Sequence, residues 1–237
     1  MGWVQTNAPL ASKRSRASDT LTNSVFLSMT DLGVKVSALK DNEKQMEDAK
    51  RARVLEGAMQ VFLAYGFSRT TMDDIARAAE ISRPALYLLF RNKADIFRAV
   101  EQDLLRKSQT NACAALREEG AFPDRLLAAL DQALFQLLQK VYESPHGDEL
   151  VDFNNQIAAD LVADWRRHMV ERFAAFIGEE AERRGIKLED RGLSAQSLAE
   201  MLFDMLAGLK ARGKRGSQAE PHCRQFIKLI ELALKQK

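Results

Sequence analysis

Cysteine is nearly absent from this chain: its 237 residues include two, Cys113 and Cys223. Two thiols so far apart make no disulfide scaffold, and a reducing cytoplasm is the expected setting. Proline (5) and glycine (12) are scarce, as are segments in which apolar and polar residues alternate. Both shortages argue against a strand-rich fold and leave an all-α one. No apolar run approaches the ~18–20 residues of a membrane span, so no membrane association is expected. Lys13, Arg14 and Arg16 precede an apolar stretch broken by Thr, Asn and Ser, which argues against a secretory signal. An excess of one charge is missing too: 35 basic against 33 acidic residues leave a net charge of +2. Such a chain is no general polyanion binder, and affinity for nucleic acid must come from a local basic surface.

The patterns of catalysis and metal binding are also missing. His146, His168 and His222 make no HxxxH or HExxH pair, and His222 beside Cys223 is a lone pair of neighbours. There is no glycine-rich phosphate loop, no GxSxG and no CxxC. Neither an enzyme nor a metal or other cofactor is expected. What the chain does have is core-forming material, 46% hydrophobic against 29% charged, in a length that fits one small and one larger domain.

The densest signal lies at residues 51–97. Val54, Ala58, Phe62 and Tyr65 recur at i, i+4, i+8 and i+11, one apolar stripe of a helix, and Gly66 is placed to stop it. Thr71 and Asp74 have the spacing of a capping box, with Asp73 and Asp74 at the positive end of the helix dipole. Ile75, Ala76 and Ala79 share a face. A turn then falls at Glu80, where one residue near the left-handed region is needed and a non-glycine costs on the order of 1 kcal/mol. Ser82 caps and Pro84 starts a short helix from Arg83 to about Phe90, with Leu86 and Phe90 inward. Asn92 caps the next helix, with Asp95 three residues on. Arg83, Arg91 and Lys93 follow with no acidic residue between them. This order reads as a helix-turn-helix whose second helix can lie in a major groove with basic residues at both ends.

Residues 51–100 resemble the TetR family of one-component transcriptional regulators. The family order is a helix ending F-x-x-x-G-(F/Y), then T-(S/T)-x-x-x-I-A-x-x-A-G-(V/I)-S, then x-x-x-(L/I)-Y-x-x-F-x-x-K-x-x-L. This chain supplies Phe62, Gly66, Phe67, Thr70, Thr71, Ile75, Ala76, Ala79, Ile81, Ser82, Leu86, Tyr87, Phe90, Lys93 and Ile96. The resemblance implies that Tyr87 and Lys93 touch phosphate, that Thr71 caps beside the DNA backbone, and that Arg83, Pro84 and Leu88 face bases. Arg91 joins the phosphate contacts on its charge alone. Two departures stand out: Glu80 replaces the usual turn glycine, and Leu89 sits where an aromatic or His is frequent. With Ala85, Leu88 and Leu89 the reader helix is unusually apolar. It is suited to packing on thymine methyls, with Arg83 for a guanine. Core packing is the competing reading for Leu88 and the better one for Leu89.

Three regions are expected. Residues 1–45 lack a sustained helical period and read as a disordered leader. They are either an artefact of a start at Met46 or a basic arm. Residues 46–97 form the three-helix DNA-binding domain. Residues 98–237 form a larger helical ligand-binding and dimerisation domain, joined through a helix from Asn92 to about Arg117. Breaks fall at Gly120–Pro123, at Ser144–Gly147 and at Gly185, with a kink within 148–184 and a new cap at Ser194. The family resemblance implies that the last two helices pair with their copies, giving a homodimer on a two-fold operator. It also implies a small-molecule effector between the helices of about 123–206. The inward aromatics and methionines Phe135, Phe153, Trp165, Met169, Phe173 and Met205 are the pocket residues expected there, though plain core explains each of them as well. The function expected is that of a repressor released by its effector. A DNA-associated protein-interaction module without an inducer is the alternative.

Overall fold

The computed structural model describes residues 1, 18–214 and 218–236, which fall in two units, Met1–Lys50 and Arg51–Lys237. Among the described residues there are ten α-helices and no strand. In the first unit the backbone is helical from Ser18, the start of α1 (Ser18–Arg69), and residues 39–50 are all exposed. Over residues 39–50 the helix has no buried face, and so no apolar stripe for a helical period to show. The basic arm, Lys13 to Arg16, lies outside the described residues.

In the second unit the remaining helices are α2 (Met72–Ala78), α3 (Arg83–Leu89), α4 (Lys93–Ala115), α5 (Phe122–Leu130), α6 (Gln136–Glu143), α7 (Gly147–Ile157), α8 (Ala159–Arg183), α9 (Ala195–Ala211) and α10 (Glu220–Ala233). The expected stops are in place. Gly66 (φ 78°, ψ 166°) breaks the helical path near the end of α1, and Gly185 (φ 67°) ends α8. The kink expected within 148–184 is Ala158, whose φ of −130° separates α7 from α8.

Two hydrophobic clusters hold this unit together. The first gathers Val54, Ala58 and Phe62 of α1 with Ile75, Ala76, Ala79, Leu86 and Phe90, and is closed by Ile96, Phe97 and Val100 of α4. Phe62, Ile75, Leu86 and Ile96 are fully buried, each contributing about 1.5–3 kcal/mol by the area it removes from water. Tyr65, expected on the same stripe, is exposed, and Phe67 beyond the Gly66 break packs against Phe62 and Phe97 in its place. The second, larger cluster runs from Leu105 and Ala112 of α4 through α5, α8, α9 and α10.

One helix ties the clusters to one another. α4 contributes to both, as a connector must. α7 also reaches the first cluster: Leu150 is part of it, and Phe153 and Ile157 pack against it. Between α5 and α6 the chain makes a π-helical turn, Asp131–Phe135, in which the Gln136 amide reaches back to the Asp131 carbonyl. The buried Ser108 hydroxyl of α4 donates to the Ala133 carbonyl of this turn (2.7 Å), satisfying both groups.

Candidate functional site

The reader begins with a cap. The Thr71 hydroxyl accepts from the Asp74 amide (3.2 Å), and the Asp74 carboxylate accepts from the Thr71 amide (3.0 Å) and hydroxyl (2.6 Å). These bonds, the hydroxyl first, hold the Asp74 carboxyl below its ordinary range. Glu80 takes φ 54°, the left-handed conformation that the turn demands. Its strain, about 1–2 kcal/mol for an L-residue, is held in place by Ile81, whose amide bonds to the Ala76 carbonyl (3.0 Å). Ser82 accepts from the Ala85 amide (3.3 Å), and Pro84 sits in the first turn of α3.

Helix α3 buries one side chain, Leu86, and leaves Ala85 and Leu89 partly buried. Arg83, Pro84, Tyr87 and Leu88 are exposed, Leu88 by 87%. Leu89 is half-buried against the cluster. The two leucines therefore separate, one exposed to solvent and one packed against the core. Arg83 reaches Asp73 (3.1 Å) and lies over the Tyr87 ring (5.6 Å). Arg91 pairs with Asp95 (2.8 Å). The arginines are more than half exposed, and such surface pairs contribute about 0–1 kcal/mol, so each arginine can leave its carboxylate at little cost.

Lys93 is held differently. Its ammonium donates to the carbonyls of Phe67 (2.5 Å), Ser68 (3.2 Å) and Thr70 (2.7 Å) and lies 4.4 Å from the centre of the Phe67 ring. Three N–H groups meet three carbonyls, so the residue expected on phosphate instead clamps the turn that leads into α2. Burial draws its pKa down and the nearby Glu149 carboxylate pulls it up. Glu149 itself accepts from the Ser68 amide (2.8 Å), which lowers its pKa. The end of α1 receives Ser144, whose hydroxyl donates to the Leu63 carbonyl (2.7 Å), and His146, 3.3 Å from Arg69. The start of α7 is thus fastened to the entry of the reader.

Gly57 is a residue the sequence reading passed over. A Cβ there would stand 2.9 Å from the Ala78 carbonyl carbon and the Ala79 amide nitrogen. A lone glycine in a helix reads as a weak point; here it lets α1 touch the backbone at the end of α2. The small Ala76 and Ala79, expected to allow close approach, were the only signal.

A cavity of about 220 Å³ lies in the larger part of the unit, walled by α4, α6, α7, α8, α9 and the π-helical turn. Of the six expected pocket residues, Phe135 and Trp165 line it. Phe153 does not: its ring lies tilted against Phe67 (centroids 4.4 Å apart) in the first cluster, because α7 turns that face toward the helix-turn-helix. Met169 and Phe173 are fully buried core and Met205 packs half-buried against it, and none of the three lines the cavity. The residues missed are polar: Glu101, Asn154 and Lys210. Asn154 donates to Glu101 (3.0 Å), and burial raises the Glu101 carboxyl above its ordinary pKa, with the Asn154 bond and Lys210 opposing. Among the described residues there is no group of three His, Cys, Asp or Glu side chains suited to a metal, and no helix long and apolar enough to cross a membrane.

Residues 54–100 match the family described as "Bacterial regulatory proteins, tetR family". Relatives include the HTH-type transcriptional regulator TtgR of Pseudomonas putida, 31% identical over 98 residues, 41% of this chain and 45% of the relative. The HTH-type transcriptional activator FasR of Mycolicibacterium smegmatis is 30% identical over 116 residues (49% and 51%). The probable acrEF/envCD operon repressor of Escherichia coli is 30% identical over 121 residues (47% and 53%). The chain spans about half the length of these curated relatives. Similarity of fold extends further. The TetR family regulator PfmR of Thermus thermophilus superposes with a TM-score of 0.53 at 21% identity, covering 78% of this chain and all of that one. A transcriptional regulator from Rhodococcus gives 0.57 at 17%, covering 77% and 96%.

Proposed function

From a chain whose residues 54–100 place it in the tetR family of bacterial regulatory proteins, we propose a cytoplasmic repressor that binds a two-fold operator as a homodimer and is released by a small molecule. The observation that carries the proposal is a reader helix presenting Arg83, Tyr87 and Leu88 to solvent in the same compact unit as a walled cavity. α4 and α7 each reach both places: α4 through Val100 and Glu101, α7 through Leu150 and Asn154.

In this reading Thr71 sits beside the DNA backbone, Tyr87 and Arg91 take phosphate, and Arg83, Pro84 and Leu88 meet bases. Lys93 acts by holding the 67–70 turn. The dimer surface is on α9 and α10, where Met201, Leu229 and Leu232 are large apolar side chains left exposed. Two readers must stand ~34–36 Å apart to enter successive major grooves, so dimerisation sets the register. An effector that binds better when α4 and α7 are shifted moves the readers off that spacing. To carry the population from 1:99 to 99:1 it needs ~10⁴-fold preference for the shifted state.

The test is fluorescence anisotropy with DNA from upstream of the protein's own gene and with random DNA, at two salt concentrations. Binding of two chains per site, tighter than random DNA by ~10³ or more, is the expected result. Equal and salt-sensitive binding to both would rule out recognition of that DNA.

A further inference from the structure

The cavity is small, partly open and polar in particular places. An engineered cavity of about 150 Å³ holds benzene, so 220 Å³ suits a body of one to two rings. Apolar walls come from Leu105, Leu134, Phe135, Val162, Phe203 and Leu206.

Its polar groups are unequal in number and kind. Trp165, 9% exposed, lines the cavity, and its Nε1–H has no hydrogen-bond partner. An indole N–H only donates, so it asks for an acceptor. Lys210 and Lys214 also line the cavity, and among the described residues neither has a carboxylate within ion-pair distance; Lys214 lies 3.3 Å from His222. Arg166 is paired with Asp204 (2.5 Å). Against these donors stand the Glu101 carboxyl and the Asn154 carbonyl oxygen, the latter buried without a partner. Glu101 already accepts from Asn154, and burial raises its carboxyl above the ordinary range, with the Asn154 bond and Lys210 opposing. The lining is therefore rich in donors and positive charge and poor in negative charge.

We propose that the cavity binds a small aromatic carboxylic acid, ring body against the apolar walls, its carboxylate oxygens toward Lys210, Lys214 and the Trp165 indole N–H. The proposal rests on the cavity being the effector site, and it goes further by naming the ligand's chemistry. Organic cations of the same size meet the two exposed lysines and bind less well, and neutral analogues lose the ion pairs.

The experiment uses the full chain with Trp3→Phe, so that emission comes from Trp165 alone. Three probes of matched shape are titrated: 1-naphthoate, 1-naphthol and 1-naphthylmethylammonium. Naphthoate is expected to bind tightest and the ammonium least. The double variant Lys210→Gln, Lys214→Gln should weaken naphthoate by about fivefold or more, the loss expected when exposed ion pairs are removed, and leave naphthol within about twofold. Tighter binding of naphthol or the ammonium, or an unchanged naphthoate affinity in the double variant, overturns the carboxylate assignment. Each probe is then added to the DNA complex. Release by another probe but not by naphthoate would leave the effector site standing and remove the acid; naphthoate binding without any change in DNA affinity would do the reverse. If no probe binds, both fall.

Discussion

The two hydrophobic clusters of the second unit solve the same packing problem to different tolerances. Around Ile75 and Leu86 the fit is close. Gly57 brings backbone against backbone, Lys93 is fully engaged by carbonyls, and no buried side-chain polar atom in residues 51–100 lacks a partner among those described. Around Trp165 and Phe203 the fit is loose, with a cavity, a π-helical turn in its wall and two polar atoms unpaired. A reader must hold side chains in register with bases, so slack there is lost specificity. A sensor must admit something, so slack there is room for it.

The comparison is broken most directly by truncating one leucine on each side. Leu86→Ala should cost about 2–5 kcal/mol, because it opens a new void at a fully buried site. Leu206→Ala, in a wall that already faces a cavity, should cost less. Urea melts of both variants compare them, and equal losses would mean that the two clusters are equally close-packed. Gly57→Ala should cost about 1–3 kcal/mol by overpacking against the α2 backbone, while DNA affinity falls with it. A neutral result would show that α1 and α2 can part freely.

Within the reader, Arg83→Ala should reduce discrimination between base pairs by about 1–3 kcal/mol, whereas Tyr87→Phe should weaken all sequences alike. An unchanged sequence preference for Arg83→Ala in competition anisotropy would remove Arg83 from the bases. Glu80→Gly should raise stability by about 0.5–1 kcal/mol, as relief of left-handed strain outweighs the added freedom of the unfolded chain. A fall in melting temperature would mean that the glutamate side chain compensates its own backbone.

The smallest effect belongs to the loose side. Burial raises the Glu101 carboxyl above its ordinary 4.5, so the folded chain keeps this proton longer than the unfolded one. That stabilisation is complete below pH 4.5 and is lost as pH rises through the folded value. Glu101→Gln should therefore melt higher than the parent at pH 8, with the gap closing at pH 4. A constant gap between thermal melts at the two pH values would show that titration of Glu101 is not its source.

The tight side was also the legible one. Capping boxes, glycine stops and the left-handed turn are contacts between residues within a few positions of one another. Thr71, Glu80, Ser82 and Asn92 therefore announced themselves. The loose side depends on partners far apart in sequence. Nothing local to Phe153 says that it meets Phe67, and nothing local to Asn154 says that it meets Glu101. Trp165 and Phe135 were reachable as inward aromatics, but so were Met169 and Phe173, and one helical period cannot separate a wall from a core. Lys93 shows the same limit inside the reader: its spacing fits the family motif, while its three carbonyl partners lie 23 to 26 residues away.

The π-helical turn at Asp131–Phe135 makes the cavity depend on how many residues the chain has, as well as on which. Removing one residue there would restore the α-helical period and rotate everything that follows by about 100°, carrying the Phe135 side chain off the wall and leaving Ser108 to find another acceptor. Under the proposed function, a lineage that gained or lost this one residue would change what it senses in a single step, with α3 left as it was.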